Sequence, residues 1–543
     1  MSLLSIEGLT VALPKGGDRP HALSDVTLAL NANEILCIVG ESGSGKSMTA
    51  GAVMGLLPEG VAATAGRVMF DGRDLLALSE PELRKLRGAR IGMVFQEPMT
   101  ALNPLRSIGS QIGEMFRIHT QLSGAERDAR VLALLQQVRI PDPAAAARAF
   151  PHELSGGQRQ RAMIAMALAL DPVLLICDEP TTALDVTTQA QILQLIRDLQ
   201  QRTGTAVLFI THDFGVVADI ADRVAVMRHG EVVEQGPAAQ VLNHPTHPYT
   251  RALVAAVPPL APPPARALGG ETVLTIENLS KTYRKAGFFG RNARVTHAVR
   301  DVTLSLPRGG TLGIVGESGS GKSTLARCLV RLLDPDSGRI AIDGQDRLTL
   351  SKDALRQDAR RIQMVFQDPY ASLNPRRRAG ELVAQGPMVH GTPRAEAFAQ
   401  ARELFELVGL DPASLERFPH EFSGGQRQRI GLARALAMKP EVLVADEPVS
   451  ALDVSVQAQV LRLLAELRER LGLSMVFITH DLRVAAQLCD RIAVMRDGAV
   501  VEQGVTAEIF AHPQHDYTRA LFAAVPGRGW VPPVAYGAAT LPA

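Results

Sequence analysis

The chain has 543 residues, 46% apolar and 21% charged, with a net charge of +1 at pH 7. That length exceeds one ordinary core, and the near-neutral balance gives no reason to invoke a nucleic-acid partner, which calls for a basic excess or a basic face. The longest nearly apolar run, Ala162 to Leu170, falls well short of the roughly 18–20 residues that cross a bilayer.

The opening MSLLSIEGL lacks the basic, apolar and small-residue segments of a signal peptide, so the chain is expected to stay in the cytoplasm. The first apolar, β-rich run, Ile35–Val39, leads into GESGSGKS at Gly40–Ser47. In a GxxxxGK[ST] loop the backbone N–H groups wrap phosphate oxygens and the following helix aims its positive end at them. Gly40, Glu41, Ser42, Gly43, Ser44, Gly45, Lys46, Ser47 and Met48 are therefore candidate phosphate-binding residues. The glycines permit close approaches that a Cβ would obstruct. Lys46 is suited to the β- and γ-phosphates and Ser47 to Mg²⁺. A chance glycine loop is the alternative, and the motif's recurrence later in the chain weakens it.

A helix-rich insert spans about Ser107 to Ala149, followed by LSGGQRQR at Leu154–Arg161. Ser155, Gly156, Gly157 and Gln158 at a helix start make a second anion-binding terminus, or an ordinary capped helix. The next strand, Leu174–Cys177, runs into DEP. Asp178 at its end can hold Mg²⁺ directly or through water. Glu179 is suited to polarise an attacking water as general base, its side chain expected to point elsewhere by strand alternation. A surface acidic turn is the bland alternative. A helical pattern at Gln189–Gln200 precedes the strand Ala206–Ile210 and then His212. The segment HPTHPYTRAL from His244 invites a metal reading, but prolines interrupt it and no acidic or thiol ligands accompany it. Pro258–Gly270, PPLAPPPARALGG, denies helix and central strand and is a linker, long enough when extended to span several tens of Å.

The same series then repeats. GESGSGKS recurs with its lysine at 322, SGGQRQR at Ser423, DEP at Asp446, ITHD at Ile478 and YTRAL at Tyr517. The lysines lie 276 positions apart and each later motif pair 268 apart. Gly316, Glu317, Ser318, Gly319, Ser320, Gly321, Lys322, Ser323 and Thr324 form the second phosphate loop. Ser423, Gly424, Gly425 and Gln426 form the second helix start, Asp446 and Glu447 the second acidic pair, and roughly Gly380–Arg417 the second insert. The expected division is residues 1–257, a linker 258–270, residues 271–526 and a tail 527–543. Cys37, Cys177, Cys328 and Cys489 are too scattered for a metal knuckle or redox pair, so buried thiols are expected.

These motifs in this order resemble the ATP-binding cassette (ABC) family over nearly the whole chain. The resemblance implies an α/β chain of two tandem P-loop NTPase ABC nucleotide-binding domains, each with a mostly parallel sheet core, an antiparallel β subdomain and a helical insert. It implies ATP and Mg²⁺ as ligands and two composite sites. One combines Lys46, Ser47, Gln96, Asp178, Glu179 and His212 with Ser423, Gly424 and Gly425. The other combines Lys322, Ser323, Gln367, Asp446, Glu447 and His480 with Ser155, Gly156 and Gly157. Gln96 and Gln367 match the glutamine that senses Mg²⁺ and water, His212 and His480 the histidine that contacts the γ-phosphate, and Asp185 and Asp453 the loop that crosses the dimer interface. Tyr283 matches the aromatic residue stacked on adenine, where the first half offers Leu13, so weaker nucleotide binding is expected at the first loop.

The HP…YTRAL segments, with ALNP at Ala101 and SLNP at Ser372, resemble the dipeptide and oligopeptide branch of importers. That branch implies a peptide cargo, two transmembrane permease subunits, an extracytoplasmic substrate-binding protein and a place at the cytoplasmic face of the bacterial inner membrane. No cysteine follows Cys489, so no iron–sulfur cluster is expected. Import of nickel or glutathione, export, and a soluble ABC ATPase acting on ribosomes or DNA are the alternatives. The last is disfavoured by the proline-rich linker and the absence of zinc-type cysteine spacing.

Overall fold

The computed structural model describes residues 2–14, 19–182, 184–285, 294–450 and 452–533. Two compact units emerge, residues 1–257 with 526–543, and residues 258–525. The linker thus counts with the second unit and the tail with the first.

Each unit holds a six-stranded sheet. In the first its order is Glu231–Pro237, Arg223–Arg228, Ile35–Val39, Ala206–Ile210, Leu174–Asp178, Ile91–Val94. Every pairing is parallel except that of the outermost strand Glu231–Pro237. The strand ILCIV is buried at all five positions. This is why it is continuously apolar rather than alternating: a parallel sheet is covered on both faces. The second unit repeats the sheet, with Thr311–Val315 between Ser474–Thr479 and Arg491–Arg496.

A separate four-stranded antiparallel sheet stands beside each. In the first unit, Ser2–Ala12 lies between His21–Asn31 and Ala62–Phe70. Its Leu4, Ile6, Leu9 and Val11 are buried in one core with Leu36 and Ile38 of the central strand and Ala50 and Val53 of the helix after the phosphate loop. Apolar burial of that extent is the main force fixing the loop's helix against both sheets.

The expected inserts are helical. Ile108–His119, Gly124–Gln137 and Pro143–Arg148 fill the first, and Ala379–Val389 and Arg394–Leu407 the second. Arg161 ties the first insert to the helix Gly156–Ala167 by donating to the Val138 carbonyl at 2.9 Å, and also donates to Gln191. Arg429 repeats this with Val408 at 3.0 Å and Gln459 at 2.9 Å. All four cysteines are buried and free. Among the described residues, no helix is long and apolar enough to cross a membrane.

Candidate functional site

In each unit the site gathers at the carboxyl ends of the central strands, where an open α/β sheet leaves a crevice. Gly40 passes so close to the neighbouring strand that a Cβ would lie 2.3 Å from the Met227 carbonyl oxygen; at Gly316 the distance to that of Met495 is 2.2 Å. No side chain fits there. The loop then opens the helix Lys46–Met54, with Gly45 as its left-handed N-cap at φ 105°.

Lys46 is buried, and its ammonium donates to the Gly40 and Glu41 carbonyls, both at 2.9 Å. Lys322 does the same with Gly316 and Glu317 at 2.8 Å. A buried charge requires such acceptors, and they are the backbone of the phosphate loop itself. Two residues before Lys46, the buried Ser44 hydroxyl oxygen has no hydrogen-bond partner among the described residues. An orphaned hydroxyl in a loop that opens a helix N-terminus suits a phosphate oxygen.

Ser47 donates to the Asp178 carboxylate at 3.0 Å, and Ser323 to Asp446 at 3.1 Å. Burial raises the Asp178 carboxyl's pKa, partly offset by Ser47 and Lys46, and the Asp446 carboxyl's is raised for the same first reason. A hydroxyl and a carboxylate held together are oxygen donors of the kind Mg²⁺ takes alongside water and nucleotide phosphates. Among the described residues, no cluster of three or more His, Cys, Asp or Glu side chains could hold a metal ion without such help.

Glu179 lies beyond the strand Leu174–Asp178 in the left-handed region, φ 45°, and Glu447 does so at φ 46°. Strand alternation therefore does not explain its separate direction. The positive φ, strained for a glutamate, turns it out of the sheet. There Gln96 donates to Glu179 at 3.0 Å, Thr182 donates at 3.0 Å and His212 Nδ1 lies at 3.4 Å. Glu447 meets Gln367 at 2.9 Å and His480 at 3.2 Å. Burial opposes ionisation of Glu179, but His212, Thr182 and Lys46 outweigh it and bring its pKa down to about 2. Glu447 is lowered as well: His480 outweighs burial. Both histidines are raised, their glutamate partners overcoming burial. Each glutamate is thus ionised and aimed, as an acceptor for a water proton needs to be.

The SGGQ turns are capping boxes. Ser155 Oγ accepts from the Gln158 N–H at 3.3 Å while Gln158 Oε1 accepts from the Ser155 N–H at 2.9 Å. Ser423 and Gln426 repeat this at 3.3 and 3.0 Å. Asp185 and Asp453 cap the helices Val186–Thr203 and Val454–Leu471; Ala183 and Ala451 beside them lie outside the described residues. Tyr283 is exposed on the strand Thr272–Lys285, whereas Leu13 packs against the first core. Two contributors do not stand out as site residues in the sequence. Thr182 sits beside DEP with no distinctive pattern, and Tyr249, in the repeated YTRAL, donates to the Glu41 carboxylate at 3.1 Å.

A family model described as "ABC transporter" matches residues 23–182 and 299–450. A second, "Oligopeptide/dipeptide transporter, C-terminal region", matches 233–288 and 501–529. The chain is 50% identical over 526 residues to "Peptidoglycan transport ATP-binding protein YejF" of Agrobacterium fabrum (strain C58), covering 96% of each. It is 46% identical over 562 residues to "Glutathione import ATP-binding protein GsiA" of Escherichia coli (strain K12), covering 97% of this chain and 90% of the relative. A solved dimeric ATP-binding cassette in a post-hydrolysis state with ADP and Pi is 32% identical, with a TM-score of 0.40 over 43% of this chain and 98% of that one.

Proposed function

The chain belongs to the ABC transporter family, and from that premise we propose that it hydrolyses ATP at two sites to drive import of a peptide or peptide-like solute. The observation that carries this is the duplicated constellation of Lys46, Ser47, Asp178, Glu179, Gln96 and His212 with Lys322, Ser323, Asp446, Glu447, Gln367 and His480, whose polar contacts recur almost bond for bond. The C-terminal region match and the relatives named for peptidoglycan transport and glutathione import support the solute class.

In this reading the phosphate loops bind the triphosphate through backbone N–H groups, and Lys46 and Lys322 exchange their carbonyl partners for phosphate oxygens. Ser47 and Asp178, or Ser323 and Asp446, with Gln96 or Gln367 in reach, would hold a Mg²⁺ ion, which would supply neutralisation of phosphate charge. Glu179 and Glu447 accept the proton of the water that attacks the γ-phosphorus as the bond to the bridging oxygen breaks. His212 and His480 hold those carboxylates in place and face the γ-phosphate. Each site is completed by an SGGQ turn of the other half. The partners are two permease subunits and an extracytoplasmic binding protein, at the cytoplasmic face of a bacterial inner membrane. The helical inserts, braced by Arg161 and Arg429, carry the nucleotide's state to the permease.

Glu179→Gln combined with Glu447→Gln should leave ATP binding intact and lower steady-state hydrolysis by about 10²-fold or more. Near-normal hydrolysis by that double variant would overturn the assignment.

A further inference from the structure

The repeated HP…YTRAL segment has a chemical role that its histidines first obscure. In the first unit, Glu234 accepts from the Thr246 N–H and hydroxyl, both at 2.7 Å, and from the His247 N–H at 3.1 Å. His247 Nδ1 then caps the helix Pro248–Ala255 by accepting from the Tyr249 N–H at 3.2 Å. The histidine is occupied as a cap, and what it aims is Tyr249. Tyr249 is 1% exposed, and its ring lies under the Arg228 guanidinium, 5.0 Å from the ring centre. Its hydroxyl reaches the phosphate loop, accepting from the Glu41 N–H at 3.3 Å and donating to the Glu41 carboxylate at 3.1 Å.

The second unit builds the same device. Glu502 accepts from the Gln514 and His515 N–H groups at 2.8 and 3.0 Å, and His515 Nδ1 accepts from the Tyr517 N–H at 3.1 Å. Tyr517 lies under Arg496 at 4.9 Å and accepts from the Glu317 N–H at 3.2 Å. In each unit the residue gripped is one of the two whose carbonyls take the loop lysine.

We infer that Tyr249 and Tyr517 are positioning residues that hold the first turn of each phosphate loop in its nucleotide-binding shape, so that the C-terminal region of each half tunes ATP affinity. The inference rests on the loops binding nucleotide as proposed above. It places an affinity control at the far end of each half, 208 and 200 residues from the loop. Any movement of that segment is felt at Glu41 or Glu317 without altering the catalytic glutamates.

The test is Tyr249→Phe with Tyr517→Phe in the full-length chain, which keeps both rings buried beneath their arginines. KM for ATP and directly measured ATP affinity should weaken about three- to tenfold, the cost of an ordinary hydrogen bond. Turnover at saturating ATP should stay within about twofold, because lost ground-state binding raises KM alone, and the unfolding midpoint should fall by no more than about 2–4 °C, the loss of about one net hydrogen bond per unit. Unchanged KM, or a fall in turnover at unchanged KM, would overturn the inference. Lys46→Ala with Lys322→Ala, measured alongside, separates the two readings. If those lysines abolish ATP binding while the tyrosine hydroxyls have no effect, only the positioning role falls. If the lysines have no effect, the nucleotide-binding reading itself falls.

Discussion

The segments that come after the last helix of each half are held by opposite chemistry at equivalent positions. Pro258–Ala261, in the second unit, offers carbonyls. Arg483 donates to Pro258 at 3.2 Å, and Gln487 donates to Pro259 and Ala261 at 2.8 Å. The tail from Pro526, in the first unit, offers an N–H instead, and Asp219 accepts it from Gly527 at 2.8 Å. Where Arg483 stands, the first half has Gly215; a Cβ there would lie 2.6 Å from the Pro526 carbonyl oxygen. Proline has no N–H, so a proline-rich strap requires donors, while a glycine in the strap permits an acceptor. Duplicated halves thus keep their catalytic groups alike and diverge where each must fit a different piece of chain.

The glycines of the SGGQ turns offer the largest test of where likeness ends. A Cβ on Gly425 would lie 2.3 Å from Val456 Cγ1, and one on Gly157 2.8 Å from Thr188 Cγ2. Both neighbours are β-branched and stiff. Gly425→Ala should therefore destabilise its unit by about 1–3 kcal/mol, more than Gly157→Ala does, read as a shift in unfolding midpoint. Gly156 and Gly424 are different, because among the described residues a Cβ on either meets nothing closer than 4.0 Å. Alanine there should leave unfolding unchanged yet lower ATP turnover if, as proposed, that space takes a phosphate. Unaltered turnover in Gly156→Ala and Gly424→Ala would reduce the SGGQ turn to a capped helix.

The adenine side sharpens the contrast between halves. Tyr283 is 42% exposed and available for stacking, whereas Leu13 is spent on the core. Tyr283→Leu should weaken nucleotide binding at the second loop by about 1–3 kcal/mol. Leu13→Tyr should strengthen the first loop by less, because the new ring must leave a core contact to stack. Site-resolved nucleotide titration checks both, and equal and opposite changes would show that Leu13's packing carries no cost.

Much of this is legible in the sequence, for physical reasons. Buried parallel strands such as Ile35–Val39 declare themselves as unbroken apolar runs. Phosphate loops declare themselves because backbone wrapped around an anion leaves few choices but glycine. The aim of Glu179 is not legible: it depends on a left-handed φ at a non-glycine residue, which no side-chain periodicity encodes. Nor is the Tyr249–Glu41 bond, whose partners meet only once the central sheet has assembled. The two acidic pairs also differ more than their shared DEP suggests. Thr182 donates to the Glu179 carboxylate, but Ser450 at the matching position donates to the Glu447 backbone carbonyl at 3.1 Å. One methyl group separates the two residue types, and nothing in composition separates their targets.

The smallest effect belongs to the straps, and it turns on polarity alone. Gln487→Glu replaces two donated hydrogen bonds with a carboxylate facing the Pro259 and Ala261 carbonyls. The site is partly exposed, so water softens the repulsion, and a loss of about 1 kcal/mol is expected, the scale of one net hydrogen bond. In a unit of this size that lowers the unfolding midpoint by about 2–4 °C. Asp219→Asn keeps an acceptor for the Gly527 N–H and should cost less than about 0.5 kcal/mol, within the range of ordinary surface changes. If Asp219→Asn proved the costlier of the two, the carboxylate's charge rather than its acceptor role would hold the tail, and the donor-for-acceptor exchange between the halves would be incidental.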